Sequence, residues 1–165
     1  MRDAIAYAEY SGSKLCIVSS EFKETFDNIS HHCLFTLLQT YGFRTQIRRY
    51  IQDMYTNVTS SVKINGQTSS PIPFKCAIRQ GCPLSMQLFA ICLDPLLTNL
   101  ANVMTRVHKG RPTNKTSVLA YEDDVTLLVT SLQDIPRIKA ALDQHAATTG
   151  AMINVKKSGA MAVGS

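Results

Sequence analysis

The 165-residue sequence has no internal repeat, no low-complexity linker, and no apolar run that approaches the roughly 20 residues a membrane span needs. Its start, MRDAIAYAEYSGSK, lacks the uninterrupted apolar block of a signal peptide. The five cysteines (Cys16, Cys33, Cys76, Cys82, Cys92) are odd in number, widely spaced and form no CxxC pair. That pattern argues against a zinc ribbon or a disulfide framework and fits reduced, mostly buried thiols in the cytosol or nucleus. The sequons at Asn57 and Asn114 then read as chance matches. What is present is core material: 45% hydrophobic residues over one domain's length, 1–165. Lys and Arg number 17 against 12 acids, a net charge of +5, which suits a polyanionic partner and plain solubility alike.

Along the chain, residues 3–9 read as a short helical piece and KLCIVSS (14–20) as a buried strand. Ser30 can cap a helix to Tyr41, with Leu34, Leu37, Leu38 and Tyr41 at i, i+3, i+4, i+7 and Gly42 as the stop. Thr45 can cap a second, carrying Ile47, Tyr50, Ile51 and Met54 on one face. Its other face bears Arg44, Arg48 and Arg49, either solvated or set against phosphates. SSVKINGQTSS predicts a hairpin on Asn65-Gly66, the dipeptide a type I′ turn favours. RQGCPLS (79–85) reads as a tight loop launching an apolar helix from about Leu84 to Leu100. VLAYEDDVTLLVT (118–130) predicts strand, acidic tip, strand. Ser131 with Asp134 opens a further helix that Gly150 ends, and AMINV and GAMAVG form a last small strand pair. The mixture predicts an α+β fold.

Glu122, Asp123 and Asp124 interrupt what otherwise reads as a buried hairpin. Burying such acids unpaired costs several kcal/mol each, and a bound cation is the usual compensation. The stretch IVSSEFKETFD offers a second apolar strand ending in a carboxylate, Glu21, with Asp27 six residues on. Two strands that each deliver a carboxylate make an oxygen-only site of the kind Mg²⁺ prefers. Two such ions roughly 3.5–4 Å apart support in-line phosphoryl transfer. The competing reading of the tip is a solvated turn.

Four segments, in this order, resemble the palm of reverse transcriptases from non-LTR (LINE-type) retrotransposons. They are IVSSEFKETFDNISHHCLFTLLQTYGF, VKINGQTSSPIPFKCAIRQGCPLSMQLFAICLDPLL, AYEDDVTLLV and GAMINVKKS, spanning about Leu15 to Ser158. The resemblance implies a single palm domain over 1–165. Its antiparallel sheet would carry helices packed on one face, with the fingers mostly missing and the thumb absent. It implies RNA-directed DNA synthesis, in which a primer 3′-hydroxyl attacks the α-phosphate of a dNTP. The partners are then an RNA template, a DNA primer and dNTP, with no membrane. The cofactor is Mg²⁺, as two ions, or Mn²⁺. Asp123, Asp124 and Glu21 become the metal ligands and catalytic acids, with the Phe22 carbonyl contributing. Phe26 becomes a steric gate against the 2′-hydroxyl. Arg79, Gln80 and Gly81 line the nucleotide and template base, the glycine allowing close backbone approach, and Lys157 sits near the departing pyrophosphate.

Simpler readings stand beside these. Phe26 can be plain core, Asp27 a structural acid at the strand-to-helix turn, and Cys82 a packed side chain. His31 and His32 fall at a helix start, one of them buried and hydrogen-bonded. The chain also departs from the family: Glu21 stands where the family has Asp, Glu122 where it has Ala, and Thr25 where it has Ala. One extra methylene moves a carboxylate by about 1.3 Å, and a misplacement of about 1 Å can cost on the order of 10²-fold in rate. Glu122 would crowd the sugar and repel phosphates. An impaired copy is therefore expected. The alternatives are a non-catalytic nucleic-acid-binding or interaction module, or a relic, on the same scaffold.

Overall fold

The computed structural model describes residues 2–23, 25–79, 81–104, 108–109, 111–115 and 117–163. In chain order the elements are α1 (Arg2–Ser11), β1 (Leu15–Lys23), α2 (Thr25–Asn28), α3 (His31–Thr40), α4 (Thr45–Tyr55), β2 (Thr59–Ser60), β3 (Lys63–Ile64), β4 (Gln67–Thr68) and β5 (Ile72–Pro73). Then come α5 (Ser85–Val103), β6 (His108–Lys109), β7 (Arg111–Lys115), β8 (Val118–Tyr121), β9 (Asp124–Val129), a 3-10 turn (Leu132–Asp134), α6 (Ile135–Thr149), β10 (Met152–Ile153) and β11 (Gly159–Val163). Two compact units result: Met1–Thr25 with Leu93–Ser165, and Phe26–Cys92.

The first unit is built around β1. Its run LCIVSSEFK pairs with β9 in unbroken antiparallel register, from Cys16 opposite Val129 to Glu21 opposite Asp124. β8 continues the sheet beyond β9. Because successive side chains point to opposite faces, Leu15, Ile17 and Glu21 share one face, and Ser20 and Phe22 the other. On the first face, Leu15, Ile17 and Leu128 are buried with Ala8 of α1, flanked by Ile5 and Val163. On the second, the Phe22 ring meets His145 of α6 edge-on, with centroids 6.0 Å apart. Ser131 accepts a hydrogen bond from the Gln133 N–H, so it caps the 3-10 turn ahead of α6 and not α6 itself. Gly150 closes α6 at φ +88°, as a left-handed stop requires.

The expected pairing of AMINV with GAMAVG does not occur. β10 and β11 both pair with β1, at Phe22–Lys23 and at Leu15–Ser19. Together they form one return strand, interrupted by residues 154–158 opposite only Ser20 and Glu21. β1 has backbone groups to satisfy along this whole edge, and two strands folded on each other would leave them unpaired. The interruption is itself tied down, since the Asn154 N–H donates to the Glu21 carbonyl at 2.8 Å.

In the second unit, Leu34 and Leu38 bury the expected face of α3, and Gly42 follows at φ +72°. Ser30 makes no side-chain cap there; its backbone bridges to Cys76 instead. Arg44, not Thr45, occupies the cap of α4, and Thr45 accepts from Arg48 at 3.3 Å. The buried stripe of α4 is Ile51 and Tyr55, whereas Ile47 and Tyr50 face solvent. Periodicity alone put that face one residue too early. Asn65 and Gly66, at φ +49° and +81°, turn β3 into β4 as expected.

α5, nineteen residues long, is long and apolar enough to cross a membrane by length and composition, a feature the sequence reading missed. Its buried residues Leu88, Phe89, Cys92, Leu93, Leu96 and Leu100 fall at helical spacing, while Met86, Gln87, Asp94 and Thr98 are exposed. Such one-sided burial is the pattern of a core helix.

Candidate functional site

The β8–β9 turn is Glu122-Asp123. Glu122 is exposed with φ at +51°, Asp123 is half-buried, and Asp124, the first residue of β9, is exposed. The three acids are therefore not folded into the core, and the burial cost that motivated a cation from the sequence does not arise. Water reaches them. The register nevertheless brings them to β1: Asp124 lies directly opposite Glu21, and the Phe22 N–H donates to the Asp123 carbonyl at 3.3 Å. Like charges directly opposite on a ladder repel, so this corner of the sheet needs a positive charge.

Lys157 supplies it. The 154–158 interruption turns on the Asn154 carbonyl, which accepts from the N–H groups of Lys157 and Ser158 at 3.1 and 3.0 Å. From that turn the Lys157 Nζ donates to Glu21 Oε1 at 2.6 Å. The pairing raises the Lys157 pKa, first through the Glu21 hydrogen bond and charge, then, against slight desolvation, through Asp123 and Asp124. All three carboxylates thus act on one ammonium. The side chains are 62% exposed at Lys157 and 27% at Glu21, so the pair is screened and displaceable.

The donor set is all oxygen, the chemistry a hard divalent cation takes, and an ammonium already sits at Glu21. Among the described residues, however, no three His, Cys, Asp or Glu side chains are gathered as a metal-holding group. Phe22 is buried on the opposite face of the strand, backed by His145, whose pKa burial lowers to about 4.

Phe26, Arg79 and Gly81 belong to the second unit. The Phe26 ring lies 5.1 Å from that of buried Phe89, and its carbonyl accepts from the Ile78 N–H at 2.6 Å. Arg79 is exposed, its guanidinium 6.0 Å over the Tyr55 ring. Gly81 sits at φ +81°, and a Cβ there meets nothing within 4 Å. Its requirement within the protein is thus the left-handed backbone. The Ser85 hydroxyl donates to the Arg79 carbonyl and the Ser85 N–H to that of Cys82, which turns RQGCPLS into the start of α5. Gln80 lies outside the described residues.

Ala77, which sequence reasoning did not single out, and His31 hold this loop. Ala77 has φ +91°, and its carbonyl is 2.8 Å from His31 Nε2. The His31 ring in turn meets Tyr55 edge-on at 5.1 Å. His31 was legible as one buried histidine of the pair, and His32 is exposed as that reading requires. Nothing in the sequence marks an alanine for positive φ. Asp27, His31, Tyr55, Phe74, Ile78 and Arg79 line a cavity of about 430 Å³ in this unit.

Comparison with known proteins gives a consistent set of matches. The family model for reverse transcriptase (RNA-dependent DNA polymerase) matches residues 2–163. An uncharacterized 149 kDa protein of transposon TX1 from Xenopus laevis is 34% identical over all of this chain, which covers 13% of that protein. The Pol polyprotein of the type-1 retrotransposable element R2 from Popillia japonica is 28% identical over 88% of this chain and 24% of its own length. The chain therefore spans under a quarter of each of these relatives. Among solved structures, telomerase from Candida tropicalis in complex with a telomeric RNA fragment superposes at a TM-score of 0.74 with 12% identity, over 98% of this chain and 28% of that one. The C-terminally truncated apo form gives 0.73 with 14% identity, over 98% and 33%. At such identities the likeness is one of fold.

Proposed function

This chain belongs to the reverse transcriptase (RNA-dependent DNA polymerase) family, with relatives in non-LTR retrotransposons, and from that premise we propose that it is the palm of such a polymerase. Its reaction would be attack of a primer 3′-hydroxyl on the α-phosphate of a dNTP, directed by an RNA template, with pyrophosphate leaving. The observation that carries this reading is the register that sets Glu21 opposite Asp124, with Asp123 tied to the neighbouring Phe22 N–H.

Asp123, Asp124 and Glu21 are the residues proposed to hold the divalent cations of the family, Mg²⁺ or Mn²⁺, with the Phe22 carbonyl beside them. Bound there, such a cation supplies positive charge for the phosphates. Phe26 is proposed to exclude the 2′-hydroxyl and Arg79, Gln80 and Gly81 to line the nucleotide and template. Lys157 is proposed to meet the departing pyrophosphate. A protein acting on these substrates works in the cytosol and nucleus, and its five free thiols suit that setting.

The same reading has this copy impaired. Glu21 is one methylene longer than the Asp that resembling sequences carry, and Glu122 places an extra anion at the tip, where phosphates must approach. The test is RNA-templated primer extension with Mg²⁺, after grafting residues 2–163 into a longer relative that supplies fingers and thumb. Little extension is expected from the unmodified graft and recovery from the Glu21→Asp, Glu122→Ala double variant. Robust extension by the unmodified graft overturns the impairment. A folded double variant that binds primer and template and incorporates nothing overturns the polymerase reading in favour of a binding module. In the active graft, Phe26→Ala is expected to admit ribonucleotides.

A further inference from the structure

We propose that Lys157 is the resident counter-ion of the carboxylate corner: its ammonium occupies Glu21 and must be displaced before a divalent cation can use that carboxylate. The inference rests on the reading of Glu21, Asp123 and Asp124 as cation ligands. It goes beyond it by giving Lys157 a second role, in competition with the cation.

The geometry is local. Glu21 is gripped twice by the same interruption of the return strand. Its carbonyl accepts the Asn154 N–H at 2.8 Å, and its carboxylate accepts Lys157 Nζ at 2.6 Å. Between these contacts the loop closes on the Asn154 carbonyl, which also accepts the Ser158 hydroxyl at 2.8 Å. Lys157 is therefore delivered to Glu21 by a turn anchored on Glu21's own backbone. This arrangement follows from β10 and β11 sharing one edge of β1 across residues 154–158. An ammonium is a compact charge that keeps water at its free sites. It satisfies one oxygen of Glu21 and repels any second cation brought to the other. Its 62% exposure lets it leave into solvent when a stronger cation arrives. Half-buried Asp123 and exposed Asp124 at the tip then have a third oxygen donor to share.

The test uses the whole chain and Mn²⁺ alone, followed by its electron paramagnetic resonance signal, with no nucleic acid and no turnover. Lys157→Met is expected to tighten Mn²⁺ binding roughly threefold, the scale of an exposed ion pair, while Lys157→Arg, which keeps the charge, binds as the parent does. A second readout needs no variant. A succinimidyl ester should label the Lys157 amine more slowly than its neighbour Lys156, and Mn²⁺ should abolish the difference. Equal Mn²⁺ affinity for the parent and the methionine variant, or unprotected Lys157, overturns the counter-ion role and leaves the polymerase reading standing. Absence of Mn²⁺ binding in both chains overturns the competition and the cation reading together.

Discussion

Glu21 and Asp124 meet because β1 and β9 keep one register over six residue pairs; the loop bearing Arg79 is held by a buried histidine gripping a strained alanine. The acidic corner is made of exposed and half-buried charges on a rigid ladder, and its side chains, in reach of water, contribute little to stability. The Arg79 loop has the opposite construction. Its charged candidate, Arg79, is exposed, and it is backed by the buried His31, Tyr55 and Ile78. A ladder can present charges to water without further support, because its hydrogen bonds already fix the backbone. A loop has no ladder, so its geometry must come from side chains that reach in from neighbouring helices.

The largest expected effect tests what lies behind the corner. His145 backs Phe22 and is buried neutral, its pKa lowered to about 4 by burial against an ordinary 6.5. The unfolded chain thus takes up the proton first. The stabilising contribution is intact above about pH 6.5, is lost as the pH falls from there toward 4, and amounts to about 3 kcal/mol over that window. Urea unfolding at pH 7, 6, 5 and 4 should show this slope, and His145→Phe should flatten it relative to the parent. If the slopes match, His145 is not the group whose protonation sets that pH dependence. Next in size, His31→Ala removes a buried ring and orphans part of the Ala77 grip, for a loss of about 2–3 kcal/mol in urea unfolding. Glu21→Gln, the matching truncation in the acidic corner, should leave the unfolding midpoint almost unmoved, since its partner is in solvent. Equal losses from the two would break the contrast between ladder and loop.

That contrast also explains what was legible beforehand. The two carboxylate-bearing strands could be read from KLCIVSS and VLAYEDDVTLLVT, because alternation and apolar runs report a sheet directly. The Asn65-Gly66 turn and the Gly150 stop were legible for a related reason: each residue type announces its own backbone region. The partners of β10 and β11 were not, because two short strands carry no signal of which edge they join. The seat of Lys157 follows from that pairing and was hidden with it. Ala77 shows the limit from the other side. Its φ is imposed by contacts from Ile29 and His31, residues 46 or more positions away, and no local preference of alanine reports it. The same tertiary override moved the buried stripe of α4 to Ile51 and Tyr55.

The smallest gain expected separates strain from crowding at the tip. Glu122 sits at φ +51°, a region that disfavours side chains with a Cβ by about 1–2 kcal/mol. Glycine there escapes that cost and gives back about 0.5–1 kcal/mol through the greater freedom of the unfolded chain. Glu122→Gly should therefore stabilise by a net of about 0.5–1 kcal/mol, seen as a higher midpoint in urea. Glu122→Ala relieves the charge and the bulk but keeps the Cβ, so its midpoint should stay near the parent's. Ala77→Gly, at φ +91°, should gain by a similar amount in the second unit. If Glu122→Ala stabilises as much as Glu122→Gly, the tip is destabilised by carboxylate repulsion with Asp123 and Asp124. Charge, and not backbone, would then limit how closely the acidic hairpin can be held against β1.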